Sequence, residues 1–300
     1  MSKVMTMSEA VSKFVKSGDL LFISGAQHGE PSAAIHEIVR QKIDHLTVVA
    51  CLVNTQQLLI GEGLVDKILT GYMPQDESRS TGLAKSRRIG KRPEIKEYSH
   101  FGIAMALLAG QMGIPFMPLK CMIGSDMLKY NENIASIDGP FEGGPIGAVK
   151  AITPDIGILH VQRCDAEGTA QKWGTVGVDV EGINASKKII ITTEKIVDSD
   201  VVRRDPNRTM VPGFRVSAVV EQPWGAHPMH MASCYNGDMF GYMMDIRGEE
   251  KYEAYMKDLV YGTSNWDEYL KKRSEAKGEE YFKSLEIKNP VLSDPIVSGS

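Results

Sequence analysis

The run Leu21-Phe22-Ile23-Ser24-Gly25-Ala26-Gln27-His28-Gly29-Glu30-Pro31 sets polar side chains between a continuous apolar stretch and a proline. Read as strand, glycine turn and helix, it belongs at the carboxyl end of a strand, where open α/β sheets hold their ligands. Backbone N–H groups at a helix start favour anionic or polarised oxygens. Ser24, Gly25, Gln27, His28 and Gly29 are therefore candidates to touch a carboxylate or carbonyl. The plainer reading is a strand–helix turn whose glycines serve geometry alone. A dinucleotide site is disfavoured, because the third glycine of that fingerprint is missing and no acidic residue ends the second strand.

A second polar segment, 71–91, contains Gln75, Asp76, Ser78, Arg79, Ser80, Arg87, Arg88 and Lys91. It reads as one long connection between a strand at 67–70 and a helix at 103–112, and such connections are often functional. Arginine presents a planar fork to carboxylate or phosphate, and serine adds a hydroxyl donor. Ser80, Arg87 and Arg88 are the candidates here, against a solvated basic face.

Residues 218–228 run from an apolar stretch into Pro223-Trp224-Gly225-Ala226-His227-Pro228, a stiff turn. His227, His230 and Cys234 are zinc-ligand types. Pro228, however, breaks the helix that would align the histidines, so a buried His227 locking the turn is expected and no metal is assigned. Gly143-Gly144-Pro145-Ile146-Gly147 precedes a strand and reads as a tight crossing. No G-x-S-x-G elbow occurs. Glu97, His100, Glu194 and Glu221 remain as isolated ionisable groups, and no nucleophile stands out.

These segments are held by alternating helix and strand patterns. Helical spacing appears at 9–16 and after Pro31, and short apolar runs occur at 20–23, 46–50, 156–161, 188–192 and 217–220. Runs without alternation fit strands covered on both faces. The expectation is an α/β fold: an open, mainly parallel sheet with helices on both faces, occupying 1–245. Beyond Gly248, Tyr252, Tyr255, Met256, Leu259 and Val260 mark an amphipathic helix, and a second begins near Trp266. Residues 246–300 are thus a C-terminal helical extension with an extended tail from 286.

With 42% apolar residues in 300, the chain can bury a large core. Its net charge of -4 gives no general attraction to nucleic acid or anionic membranes. Cys51, Cys121, Cys164 and Cys234 are far apart, as free thiols in a reducing compartment would be. The start lacks the apolar core of a signal peptide. The longest apolar run, 102–116, falls short of the roughly 20 residues of a membrane span. A cytoplasmic protein is expected.

Several motifs together resemble the α subunits of family I CoA-transferases, that of glutaconate CoA-transferase among them. They are Met-Ser-Lys-Val-Met-Thr at 1–6, Ser17-Gly18-Asp19, Ile114-Pro115-Phe116-Met117-Pro118, Gly124-Ser125 and Pro154-Asp155-Ile156-Gly157-Ile158-Leu159-His160. Asp165-Ala166-Glu167-Gly168-Thr169, Val202-Arg203-Arg204-Asp205-Pro206 and Gly225-Ala226-His227-Pro228 complete the set, which covers about 1–270.

The resemblance implies a parallel α/β fold and an α subunit paired with a β subunit in a heterotetramer or larger assembly. The β subunit would supply the nucleophilic glutamate. CoA would move between a dicarboxylic acyl group and a small carboxylate, with the CoA thioester as substrate and no permanently bound cofactor. Ser24-Gly25-Ala26 stands where the family usually has Gly-Gly-Phe. That departure keeps a ring-cleaving hydrolase or a decarboxylase open, with Glu97 or His100 as acid/base and His28 able to move protons. A non-catalytic acyl-CoA-binding scaffold is the alternative outside enzymology.

Overall fold

The structure, a computed structural model, describes residues 2–74, 80–141 and 143–287. The apolar runs fold as strands: β1 (Leu20–Ile23), β2 (Leu46–Leu52), β3 (Val65–Tyr72), β4 (Glu94–Glu97), β5 (Phe116–Leu119), β6 (Ile134–Asp138), β7 (Pro145–Lys150), β8 (Ile156–Cys164), β9 (Ala170–Gln171), β10 (Lys188–Ile196), β11 (Thr209–Val211) and β12 (Val216–Glu221). Seven of them form an open parallel sheet in the order β4-β3-β2-β1-β8-β10-β12. In β1, Leu21 lies opposite Val48 on one side and Ile156 on the other. The short β9 and β11 add an antiparallel ribbon at the end of β8.

Both faces of the sheet are covered, which is why its strands carry no polar alternation. Leu21, Ile23, Val48 and Ala50 pack with the helices Met7–Phe14, Ser32–Arg40 and Gln57–Gly61. Phe22, Val49 and Cys51 turn to the other face, beneath the helices His100–Met112 and Asp179–Ala185. Each such aliphatic or aromatic side chain contributes about 1.5–3 kcal/mol on burial. The helix Asp179–Ala185 approaches β1 closely because Gly182 has no side chain; a Cβ there would stand 2.1 Å from the Phe22 ring. That approach carries Asp179 to the end of β1.

The expected extension packs on the first face. The helix Glu249–Tyr255 continues into a π-helical turn, Met256–Tyr261, and Asn265 caps the helix Trp266–Lys277 through the Glu268 N–H at 3.0 Å. Tyr252, Tyr255, Val260, Trp266 and Tyr269 join the same core as β1 and β2. Tail residues 288–300 lie outside the described residues. No helix among the described residues is long and apolar enough to cross a membrane.

Two features differ from the sequence reading. The polar stretch 71–91 is not one long connection, because the helix Thr81–Arg88 and then β4 divide it. Both are polar elements that bury only a few positions, such as Leu83, Ser86 and Lys96, so they show little apolar periodicity. A separate antiparallel sheet, β5-β7-β6, follows the helix His100–Met112. Gly143 and Gly144, in left-handed backbone, precede the first residue of β7 in it.

Candidate active site

The loop after β1 is fixed from beneath by buried partners. Gly25, at φ +97°, donates its N–H to Asp179 Oδ1 at 2.7 Å. Asp179 Oδ2 pairs with Lys172 Nζ at 2.6 Å in a fully enclosed ion pair. The same ammonium lies 3.4 Å from the His28 carbonyl and 3.5 Å from that of Gly29. Gly29 donates to the His230 carbonyl at 2.9 Å. Glu30, fully buried, accepts from Gln27 N–H, the Asn54 amide, and both Thr55 N–H and Thr55 Oγ1–H. Burial raises its carboxyl to about 7, outweighing the pull of those four donors. A side chain at Gly25 would meet Glu30 Cγ at 2.4 Å, so glycine is required at that turn.

One side chain of this loop is left facing out. Gln27 is exposed and sits in left-handed backbone at φ +67°, an uncommon conformation that clusters at functional sites. It lines a cavity of about 150 Å³ at the carboxyl ends of β1, β2 and β3. Asn54 and Gln57 enter from the loop after β2, and Tyr72 and Ser80 from either side of the loop after β3. Tyr242 closes the far wall from the helix Met239–Asp245. Val53, Pro74, Met239 and Met243 complete the described lining. The polar groups are amides and hydroxyls; among the described residues no carboxylate, imidazole, thiol or amine joins them.

The structure brings Gln27 and Ser80 to one cavity, and it separates the other candidates from them. Ser24, Gly25, His28 and Gly29 are buried in the scaffold under the loop. Both nitrogens of His28 are occupied: Nδ1–H donates to the Thr175 carbonyl at 2.6 Å, and Nε2 accepts the Ala232 N–H at 3.1 Å. Burial, then the Lys172 charge, pushes its imidazole down to about 3. His28 is a neutral clamp, with no proton to exchange near pH 7. The helix Ser32–Arg40 does not present free amides either, since Ser32 N–H bonds the Glu30 carbonyl and Ala33 N–H that of Gly225.

Ser80 is the N-cap position of the helix Thr81–Arg88. Arg87 and Arg88 are exposed at its other end, which the helical rise puts about 10 Å away along the axis. Arg88 pairs there with Glu249 at 3.2 Å. Glu97, the last residue of β4, and His100, the first of the helix His100–Met112, are exposed and are not among the described residues lining the cavity. Gln75, Asp76, Ser78 and Arg79 lie outside the described residues.

The proline-rich turn acts as the anchor of this region. His227, fully buried, bonds the hydroxyls of Tyr269 and Tyr281 at 2.9 and 3.0 Å, and burial pushes its imidazole to about 3. Glu194 accepts from His160 Nε2 and Tyr235 O–H through one oxygen and from Trp224 N–H through the other. Ser32 O–H donates to the Ala226 carbonyl, tying the turn to the helix that leaves the Gln27 loop.

An open parallel sheet with a small cavity at its carboxyl edge defines a ligand-binding α/β protein. Residues 4–222 match the coenzyme A transferase family, and the chain belongs to that family. It is similar to the A-type subunit of the 3-oxoadipate CoA-transferase of Pseudomonas knackmussii, 32% identical over 92% of this chain and 100% of that one. The glutaconate CoA-transferase structure from Acidaminococcus fermentans superposes with a TM-score of 0.86 at 31% identity, covering 95% of this chain and 96% of that one. An uncharacterised protein of Archaeoglobus fulgidus is 35% identical across 95% of this chain, which spans 65% of that protein's length. By family, then, the chain is a CoA-transferase subunit of the A type.

Sequence reasoning missed Glu30, Asn54, Gln57, Lys172, Asp179 and Tyr242. Asn54 to Gln57 had a usable signal: a polar run directly after the apolar β2, at a carboxyl end like that of Gln27. Tyr242 had none, because its distance in sequence from the loops it faces is erased only by packing.

Proposed function

We propose that the chain is the α half of a two-subunit enzyme that moves coenzyme A between a carboxylic acyl-CoA and a small carboxylate. Its β partner supplies the attacking glutamate. The observation that carries this reading is the cavity formed by Gln27, Asn54, Gln57, Ser80 and Tyr242 on immobilised loops. Its described groups hold and orient an acyl chain but offer no carboxylate to attack it. Attack by a partner's carboxylate on the thioester carbonyl expels the CoA thiolate and leaves an enzyme-bound acyl anhydride; returning thiolate then gives glutamyl-CoA and the free acid. Neutral amide and hydroxyl donors stabilise oxygen atoms that gain charge in such steps without presenting a competing nucleophile.

The rim of the cavity favours a covering partner. Tyr72 and Met243, which line it, are 48% and 41% exposed, and the helix Met239–Asp245 that carries Met243 also exposes Phe240 and Met244. Such an apolar border suits a protein interface. Ser80 and Gln27 are the substrate contacts in this reading, while Gly25, His28 and Gly29 shape the loop and Arg87 and Arg88 act outside it. The hydrolase alternative would require reacting atoms at Glu97 or His100, and neither is among the described residues lining the cavity.

The test is co-expression with the β partner, incubation with acyl-CoA, and borohydride reduction of the enzyme thioester. Mass spectrometry should find the reduced glutamate in the partner. An active complex with no trapped glutamate, or with the label on this chain, would contradict the proposal.

A further inference from the structure

Gln27 and Asn54 line the cavity from the loops after β1 and β2. Both are bound to Glu30, which is fully buried and is not among the described residues lining the cavity. The two carboxylate oxygens hold different partners. Oε1 accepts the Gln27 N–H at 3.3 Å and the Asn54 side-chain amide. Oε2 accepts the Thr55 N–H at 3.3 Å and Thr55 Oγ1–H at 2.8 Å. One carboxylate thus joins the loops that leave two adjacent parallel strands.

Gln27 needs such a hold. Its backbone stands at φ +67°, and left-handed backbone costs a residue with a side chain about 1–2 kcal/mol. It persists only where the surroundings over-determine it, and Glu30 Oε1 fixes the N–H of that residue. The same oxygen restrains the Asn54 side chain through its amide nitrogen. Thr55, held by the other oxygen, is 1% exposed and is not among the described lining.

We infer that Glu30 is a positioning residue of the acyl-transfer site, its Oε1 setting the Gln27 backbone and the Asn54 amide in the arrangement that receives substrate. The inference rests on the CoA-transferase reading above and adds a residue that acts from beneath the cavity. An amide in place of the carboxylate keeps one acceptor oxygen. With that oxygen toward Gln27 and Asn54, its NH₂ donates to the Thr55 hydroxyl, so Glu30→Gln preserves the joint. An apolar side chain abolishes it.

The experiment uses the chain co-purified with its β partner at pH 8, above the value of about 7 to which burial raises Glu30. Glutaryl-CoA and butyryl-CoA are the donors, acetate is the acceptor, and acetyl-CoA formation is measured. Glu30→Met should lower kcat/KM about tenfold or more, while Glu30→Gln stays within about threefold of wild type. Thr55→Val removes a bond from Oε2 alone; it should lower the urea midpoint yet leave kcat/KM within about threefold. Because Glu30 acts through Gln27, Glu30→Met combined with Gln27→Ala should fall short of the product of the single losses by about threefold or more. Glu30→Asp, whose carboxylate is one methylene short, takes the place of Glu30→Met if that variant fails to fold. Three results overturn the inference: single losses that simply multiply, no loss on breaking the joint, or an equal loss in Thr55→Val or Glu30→Gln. No transfer by the wild-type complex counts against the transferase reading instead. Calorimetric binding of the same thioesters, taken through the same variants, then decides the role of Glu30, and a wild type that binds neither overturns it.

Discussion

The enclosed Lys172–Asp179 pair is the part of the scaffold whose removal has the clearest consequence. Asp179→Asn keeps an oxygen for the Gly25 N–H but leaves the Lys172 ammonium in a fully buried site with only the His28 and Gly29 carbonyls nearby among the described residues. Removing one partner of a buried pair costs about 3–5 kcal/mol. An upper bound follows from proton release: deprotonating a lysine of ordinary pKa at pH 7 costs about 5 kcal/mol, after which no charge remains to be stabilised.

The same argument gives a pH signature. In the variant the folded state disfavours the Lys172 proton while the unfolded chain retains it, so the unfolded state binds more protons. Stability then rises with pH, by up to about 1.4 kcal/mol per unit between neutral pH and the ordinary lysine range. Urea unfolding followed by tryptophan fluorescence at pH 7 and pH 9 measures both effects. Lys172→Met with Asp179→Leu should recover most of the loss, because a buried pair replaced by apolar side chains is often neutral. A penalty below about 1 kcal/mol for Asp179→Asn at pH 7, with no recovery at pH 9, would refute the reasoning.

Three further outcomes are expected. Glu30 holds its proton to about pH 7 in the folded state and releases it near 4.5 when unfolded, so the folded state carries the extra proton between those values. The stability of the wild type relative to Glu30→Gln should therefore fall by about 3 kcal/mol from pH 4 to pH 8, and a flat difference in urea midpoints would contradict this. Gln27→Ala should lower kcat/KM of the complex about tenfold or more with little change in unfolding midpoint, since its side chain is exposed; full activity would remove it from the site. The pair of Arg88 with Glu249 is 40% and 63% exposed. Arg88→Ala should thus change stability by less than about 1 kcal/mol and leave kcat/KM unaltered. A tenfold loss would return Arg88 to the substrate.

The acid range holds a further consequence of the buried histidines. His28 and His227 sit near 3 in the folded protein and near 6.5 when free, so the unfolded chain binds their protons first as pH falls. Each contributes stability that is present above about 6.5 and is lost progressively toward 3, opposite in sign to Glu30. Imidazoles clamped this way hold the Gln27 loop and the proline-rich turn in place.

Local pattern was enough to identify the parallel sheet, since strands buried on both faces must be apolar throughout, and β1, β2, β8, β10 and β12 largely are. It was also enough to select the loop after β1, because glycines, a proline and polar side chains at a strand end are a local signal. Pattern could not separate Gln27 from His28, one exposed and one clamped on both nitrogens. Nor could it reveal Glu30, Lys172 or Asp179, whose meaning lies in their partners. Gly25 meets Asp179 across 154 positions only because Gly182 lets a helix settle on Phe22. Tyr242 reaches the cavity through a helix far along the chain. Periodicity reports which face of an element is buried; which buried faces meet, and which polar atoms they leave unpaired, is decided by packing in three dimensions.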